Sequence, residues 1–294
     1  DVLLRDTLTY LTPRFSPDGK QAALVATLRS DGPFWVLDIA SRSTTKLSFL
    51  GGSIAALSIQ NGLGVDWMPD GRYVIAAAMG SGLRVLSADG NAERSTRALE
   101  LAGNQCCGPI VSATAAPDGK AVVVGTAFGD GFNLLVRRLD GDSAVKPLVS
   151  TPATELAPRF SADGHWLAYS SDESGRSEIY IQPYPGPGRR VQVSADGGEQ
   201  PTWSADGRLF YRAGKAMMVA QLSRSGAEAT VTSRRMLFEG DFYGVGNFAA
   251  AYDVAADGRQ FLMARRIGTG GGQLIVWVNW LDELKARLDA PGRK

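Results

Sequence analysis

Six residues at one recurring position carry most of the charged chemistry that this chain can bring to a single centre. They are Arg14, Asp66, Thr114, Arg159, Thr202 and Asp253, each a few residues ahead of an Asp-Gly pair. Two guanidiniums, two carboxylates and two hydroxyls at equivalent positions can form charge-assisted hydrogen bonds, which are strong where water is excluded. If the repeats close into a ring, Arg14 falls between Asp66 and Asp253, and charge-assisted pairs across two repeat boundaries are expected. Arg14 and Asp66 also count among the candidate ligand contacts, since a ring of this kind faces the axis.

Other residue types narrow the chemistry. The single histidine, His165, directly follows a turn glycine, and a Ser–His–Asp hydrolase would need it inside a site with an oriented carboxylate. Cys106 and Cys107 are the only cysteines, too few for a disulfide framework or a zinc site. In an oxidising compartment they could close a strained vicinal disulfide; adjacent Cα atoms lie about 3.8 Å apart, below the usual disulfide span of about 4.4–6.8 Å. Otherwise they are two loop thiols. No metal site and no cofactor are expected, and no residue is assigned a catalytic role. A carboxylate-based hydrolase or lyase stays open as an alternative, because nothing in the sequence selects or excludes a carboxylate pair.

The elements that must position these groups follow from a phrase that returns six times: a strand-like run, a turn ending in Asp-Gly, and a second strand-like run. It reads PRFSPDGK, VDWMPDGR, ATAAPDGK, PRFSADGH, PTWSADGR and YDVAADGR around Asp18, Asp70, Asp118, Asp163, Asp206 and Asp257. Asp caps such a turn through nearby backbone N–H groups, and Gly takes the positive φ of the reversal. Turn chemistry therefore accounts for the six aspartates without a bound cation. Spacing in the forties and low fifties, with strands between the marks, is the pattern of propeller blades.

The fourth repeat shows one whole unit. Leu156–Ser161, His165–Ser171, Glu178–Pro183 and Arg190–Ser194 read as four strands separated by turns,. The residue before the turn phrase forms a column of Phe15, Trp67, Ala115, Phe160, Trp203 and Val254, mostly aromatic and suited to packing between blades. The expectation is an all-β, six-bladed propeller with four-stranded antiparallel blades, a single domain over residues 1–294. The last repeat supplies only three strands, with Gly270–Gly272 read as a hairpin loop, before Trp280, Leu281, Leu284 and Leu288 recur at helical spacing,. Val2–Arg5 is therefore expected to pair antiparallel beside Gln273–Val278 as the missing strand, with a short C-terminal helix outside the ring.

Loops between blades are where a rigid ring builds binding surfaces. Glu155, Glu199 and Gln200 sit just before first strands and are candidates for the channel mouth, though solvated loop residues would look the same. Phe242, Tyr243 and Asn247 lie in a loop of aromatic and small residues that either packs inward or meets a partner. Lys plus Arg total 31 and Asp plus Glu 30, so no electrostatic case exists for nucleic acid. No apolar run approaches the roughly 20 residues of a membrane span. The chain begins at Asp1 without a signal-like segment and reads as a mature or excised piece.

The stretch Pro158–Arg212 resembles TolB-like propeller repeats, which are WD-repeat-like. Its wording, together with Leu237–Gly240, Tyr252–Val254, Phe261–Met263 and Val278–Lys285, resembles the C-terminal propeller of bacterial membrane-anchored serine/threonine protein kinases. The match is specific over roughly residues 155–288 and only repeat-level before that. The resemblance implies an extracytoplasmic sensor or interaction module that binds a peptide, protein or small molecule at the loop-bearing face. No kinase motif stands in this chain: it lacks a His-Arg-Asp loop and an Asp-Phe-Gly,. A structural scaffold without a distinct ligand is the third reading.

Overall fold

The computed structural model describes residues 2–6, 10–26, 34–47, 64–78, 82–95, 97–99, 108, 110–128, 131–141, 144–186, 188–241, 248–267 and 271–278. The chain opens with β1 (Val2–Asp6), followed by β2 (Tyr10–Phe15), β3 (Gln21–Ala26), β4 (Phe34–Asp38) and β5 (Thr44–Lys46). Next come β6 (Gly64–Trp67), β7 (Tyr73–Ala78), β8 (Gly82–Ser87) and β9 (Arg97–Leu99). The third group is β10 (Ile110–Ala115), β11 (Ala121–Phe128), β12 (Gly131–Arg138) and β13 (Val145–Val149). The fourth is β14 (Glu155–Phe160), β15 (Trp166–Ser171), β16 (Glu178–Pro183) and β17 (Val191–Gln192). The fifth is β18 (Glu199–Trp203), β19 (Leu209–Ala213), β20 (Ala216–Ser225) and β21 (Glu228–Glu239). Finally, β22 (Tyr252–Val254), β23 (Gln260–Ile267) and β24 (Gly271–Val278) follow.

These strands form six four-stranded sheets. Five run in simple chain order, and the sixth has the order β1-β24-β23-β22, so the first strand of the chain lies beside the last. Val2 faces Ile275 and Asp6 faces Gly272 in an antiparallel register. Gly271 and Gly272, read from sequence as loop residues, are strand residues opposite Ile267 and Arg266. No helix occurs among the described residues, and the expected Trp280–Leu288 helix lies outside them.

In all six turns the N–H two residues past the Asp donates to its Oδ1, and a serine adds to this where one precedes the turn. Ser16 donates its hydroxyl to Asp18 Oδ1 at 2.6 Å, Lys20 N–H donates to the same oxygen at 3.1 Å, and Gln21 N–H donates back to Ser16 Oγ at 2.9 Å. The Ser161–Asp163 turn repeats all three bonds and the Ser204–Asp206 turn the first two. Gly19 and Gly164 both sit at φ +71°, where a side chain would be strained. Bonds within the turn thus engage these carboxylates, as turn chemistry requires.

Strand alternation builds the core. In β3, Ala22, Leu24 and Ala26 face one neighbouring sheet, joining Leu3 and Leu262; Ala23 and Val25 face the other, joining Val65 and Trp67. The other clusters fill the seams between consecutive sheets in the same way, from Ile75 with Val122 to Phe210 with Phe261. Every sheet is thus buried on both faces, as stacked propeller blades are. The innermost strands β2, β6, β10, β14, β18 and β22 touch their neighbours in cyclic order, β22 against β2 included.

Candidate functional site

The first strands converge on the axis and bring the six recurring side chains together. Arg159 Nη1 lies 2.8 Å from Asp66 Oδ2, and its Nη2 lies 3.5 Å from Asp253 Oδ1. Arg159 comes from the fourth sheet, Asp66 from the second and Asp253 from the sixth, so one guanidinium joins three alternate blades. Its neighbours complete the carboxylates: Thr114 Oγ1–H donates to Asp66 Oδ2 at 2.7 Å, and Phe15 N–H donates to Asp253 Oδ2 at 2.8 Å.

Arg14 does something else, which corrects the sequence expectation. Its Nη1 donates to the carbonyls of Pro13, Ala250 and Tyr252, at 2.8, 3.0 and 2.7 Å. Ala250 precedes the short strand β22 and Tyr252 begins it, and buried backbone acceptors must be satisfied. The arginine next door supplies the donor, and the carboxylates are left to Arg159. Two tryptophans of the aromatic column lock the arrangement: Trp67 Nε1–H donates to the Arg14 carbonyl at 3.0 Å, and Trp203 Nε1–H to that of Arg159 at 3.2 Å.

Burial dominates the electrostatics here. It pushes the Arg14 guanidinium down to about 10, with the Arg159 charge adding to the effect. Burial likewise pushes the Asp253 carboxyl up, against the pull of Arg159 and Arg14. For Arg159, burial disfavours the charge, but Asp66 and Asp253 more than offset it and raise the group. Beside these groups lies a cavity of about 10 Å³ bordered by Arg14, Ser112, Pro158, Arg159 and Ala250. That volume is room for about one water molecule. Among the described residues, paired charge from three alternate blades spans the axis at this depth.

The candidates for the channel mouth are mostly interior. Glu155 is fully buried and accepts a hydrogen bond from Thr151 Oγ1, while its Oε2 has no hydrogen-bond partner. Burial pushes its carboxyl up, with the Thr151 contact opposing. Gln200 is buried in a left-handed conformation (φ +58°) and accepts from Ala251 N–H at 3.1 Å. Thr12 and Ala157 adopt the same conformation at the matching place in their strands. The register shifts there, so Gln200 belongs to a recurring bulge. Glu199 alone of the three keeps partial solvent contact. Phe242, Tyr243, Asn247, Cys106 and Cys107 lie outside the described residues, as do most loops on their face.

Among the described residues, open grooves lie on the face of the Asp-Gly turns, between blades. One groove of about 610 Å³ runs between the fourth and fifth sheets, walled by Asp163, His165, Tyr184, Leu222 and Arg224. A second of the same volume lies between the first and second sheets, with Gln21, Arg72, Tyr73 and Arg94 among its walls. In the second, Arg72 pairs with Asp70 at 3.1 Å and Arg94 with Asp89 at 3.0 Å. The first groove is distinguished by the β20–β21 hairpin, which reaches over it as an arm. The arm lengthens β20 to Ser225 and β21 to twelve residues, well beyond the strands of the fourth repeat. The β-branched run Thr230-Val231-Thr232 after the Ser225-Gly226 turn was the available signal. Among the described residues, no three His, Cys, Asp or Glu side chains gather to hold a metal ion.

No protein-family model matches the chain, and no curated protein matches it. Its fold is that of β-propellers among solved structures. A putative TolB from Agrobacterium tumefaciens superposes with a TM-score of 0.59 at 18% identity, covering 80% of this chain and 84% of that one. The β-propeller domain of Cps50 (Swd1) from Myceliophteria thermophila gives 0.60 at 13% identity, covering 91% and 82%. Hydrazine synthase from Kuenenia stuttgartiensis gives 0.59 at 13% identity, with the same coverage. At such identities the likeness is one of fold. The chain has a β-propeller fold. No helix among the described residues is long and apolar enough to cross a membrane.

Proposed function

We propose that this propeller is a non-catalytic binding module for a protein partner, serving as the extracytoplasmic sensor or interaction part of a larger signalling protein. The observation that carries the reading is the charged bridge across the axis. Arg159, Asp66 and Asp253 occupy the centre of the ring, and the cavity beside them holds about one water,. The open surface lies at the rim, in grooves between rigid blades, and clefts on a rigid scaffold suit recognition of another chain. The resemblance of Pro158–Arg212 to kinase-attached propellers supports the extracytoplasmic and signalling parts of the proposal.

The test is a binding measurement on the intact propeller. The ligands are proteins fractionated from the cell envelope, muropeptides and a panel of hydrolase and lyase substrates. Saturable binding of one purified envelope protein, without turnover of any substrate, is the expected result. Turnover that disappears in the Glu155→Gln protein would overturn it in favour of a carboxylate-based enzyme. Protease accessibility of the full-length protein on intact spheroplasts tests the location.

A further inference from the structure

The arm over the fourth–fifth groove exposes backbone as well as side chains. The strand β19 is five residues long and pairs with Ala216–Ala220 only. Beyond Ala220, β20 continues to Ser225 with β21 on one side and no strand on the other. The hairpin turns through Gly226 and Ala227, with Ser225 opposite Glu228 and Ser223 opposite Thr230. Residues flanking a two-residue loop exchange hydrogen bonds with each other, and such pairs alternate along an antiparallel ladder. The N–H and C=O groups of Leu222 and Arg224 therefore point to the edge that has no strand, while their side chains wall the groove.

Arg224 is held in place there by more than one contact. Its guanidinium carbon stands 5.4 Å over the Trp203 ring, and Nη1 lies 3.4 Å from Asp163 Oδ2. That nitrogen is buried and makes no hydrogen bond. Facing it across the groove are the half-buried Tyr184 ring, packed edge-on to Phe160 at 4.8 Å, and exposed His165. A strand edge, an apolar wall and a positioned guanidinium in one groove make a set that reads main chain, one apolar side chain and one acid. Charges along an edge strand guard against indiscriminate pairing, so the arm's own Arg224 would admit an acidic strand more readily than a basic one.

We infer that this groove binds an extended acidic peptide segment of the partner protein, added as a strand along Leu222–Arg224 with its carboxylate on Arg224. The inference rests on the protein-binding reading and goes further by fixing the site and the chemistry.

The experiment selects peptides from a random display library on the intact propeller and measures the selected sequences as synthetic peptides. Enrichment of Asp or Glu beside apolar residues is expected, with affinity falling about tenfold or more in Arg224→Glu, as for a charge pair removed from an interface. N-methylation of alternate peptide nitrogens should weaken binding, and N-methylation of the intervening ones should not, because only one set faces the arm. Leu222→Lys provides a second variant, and melting curves show that both variants are folded. Selected peptides that bind both folded variants as well as the parent overturn the inference, as does N-methyl sensitivity without alternation. A dimer of this chain that both variants abolish would also overturn it, by giving the edge to a second copy. In those cases an envelope protein bound at another face keeps the proposed function; failure of every protein to bind removes that function itself.

Discussion

Arg159 and Asp66 form an ion pair of 2.8 Å from blades that are not neighbours, with the whole third blade between them in the ring. The same guanidinium reaches Asp253 on the other side, so the pair belongs to a bridge across the axis. Side-chain exposures of 13%, 14% and 9% for Arg159, Asp66 and Asp253 place it away from bulk water.

That placement sets the expected cost of breaking it. Arg159→Met should lower stability by about 3–5 kcal/mol, because two carboxylates stay buried without their counter-charge. Adding Asp66→Asn and Asp253→Asn should recover much of the loss, since removing the whole network also removes the unpaired charge. Chemical denaturation of the three proteins checks this. A single variant as stable as the parent would mean that the bridge is solvated.

Arg14 makes a separate prediction, because its partners are carbonyls. Arg14→Ala removes the only Nη1 donor shown to the Pro13, Ala250 and Tyr252 oxygens and opens a hole in a buried site. A loss of about 2–4 kcal/mol is expected from unmet acceptors and the cavity. Arg14→Lys should recover only part of it, since one ammonium lacks the planar reach of a guanidinium. Denaturant midpoints compare the three directly.

Glu155 predicts a pH dependence. Burial raises its folded-state carboxyl above the ordinary value, so its contribution to stability is present below the unfolded pKa and is lost as pH rises through the folded one. Glutamine mimics the protonated form. Glu155→Gln should therefore melt like the parent near about pH 4 and above it at about pH 8. Parallel melting curves at the two pH values settle the matter; a Gln variant weaker at both would show that the ionised carboxylate is stabilising.

The N-terminal strand should matter to the whole fold. β1 covers the edge of β24, and Leu3 packs against Ala22, Leu24 and Leu262 in the seam between the sixth and first blades. Deleting residues 1–6 exposes that edge and part of that seam. A drop in melting temperature of several degrees is expected, on the scale of about 1–3 kcal/mol. Calorimetry of the truncated protein would show an unchanged midpoint if the sixth sheet stood on three strands.

Much of this propeller was legible in its sequence, and the reason is range. The Asp-Gly turns are written by residues two to five positions apart, as Ser16, Asp18, Lys20 and Gln21 show, so local chemistry is enough to find them. Alternation such as Ala22-Ala23-Leu24-Val25 announces a strand buried on both faces, and the strand count pointed to Val2–Arg5 as the partner of the last repeat. The six recurring charged and hydroxyl residues were also visible, as a ring. Which arginine serves which carboxylate was not. Arg159 and Asp253 are 94 residues apart, and their meeting depends on how opposed blades aim side chains into a space that holds few of them. Arg14 was drawn aside by the Ala250 and Tyr252 carbonyls, whose need for a donor exists only once β22 is folded against β2. The charged bridge across the axis and the arm over the groove are likewise products of tertiary structure. Both depend on where one strand outlasts its neighbour or one long side chain crosses the centre, and no local pattern of residue types encodes either.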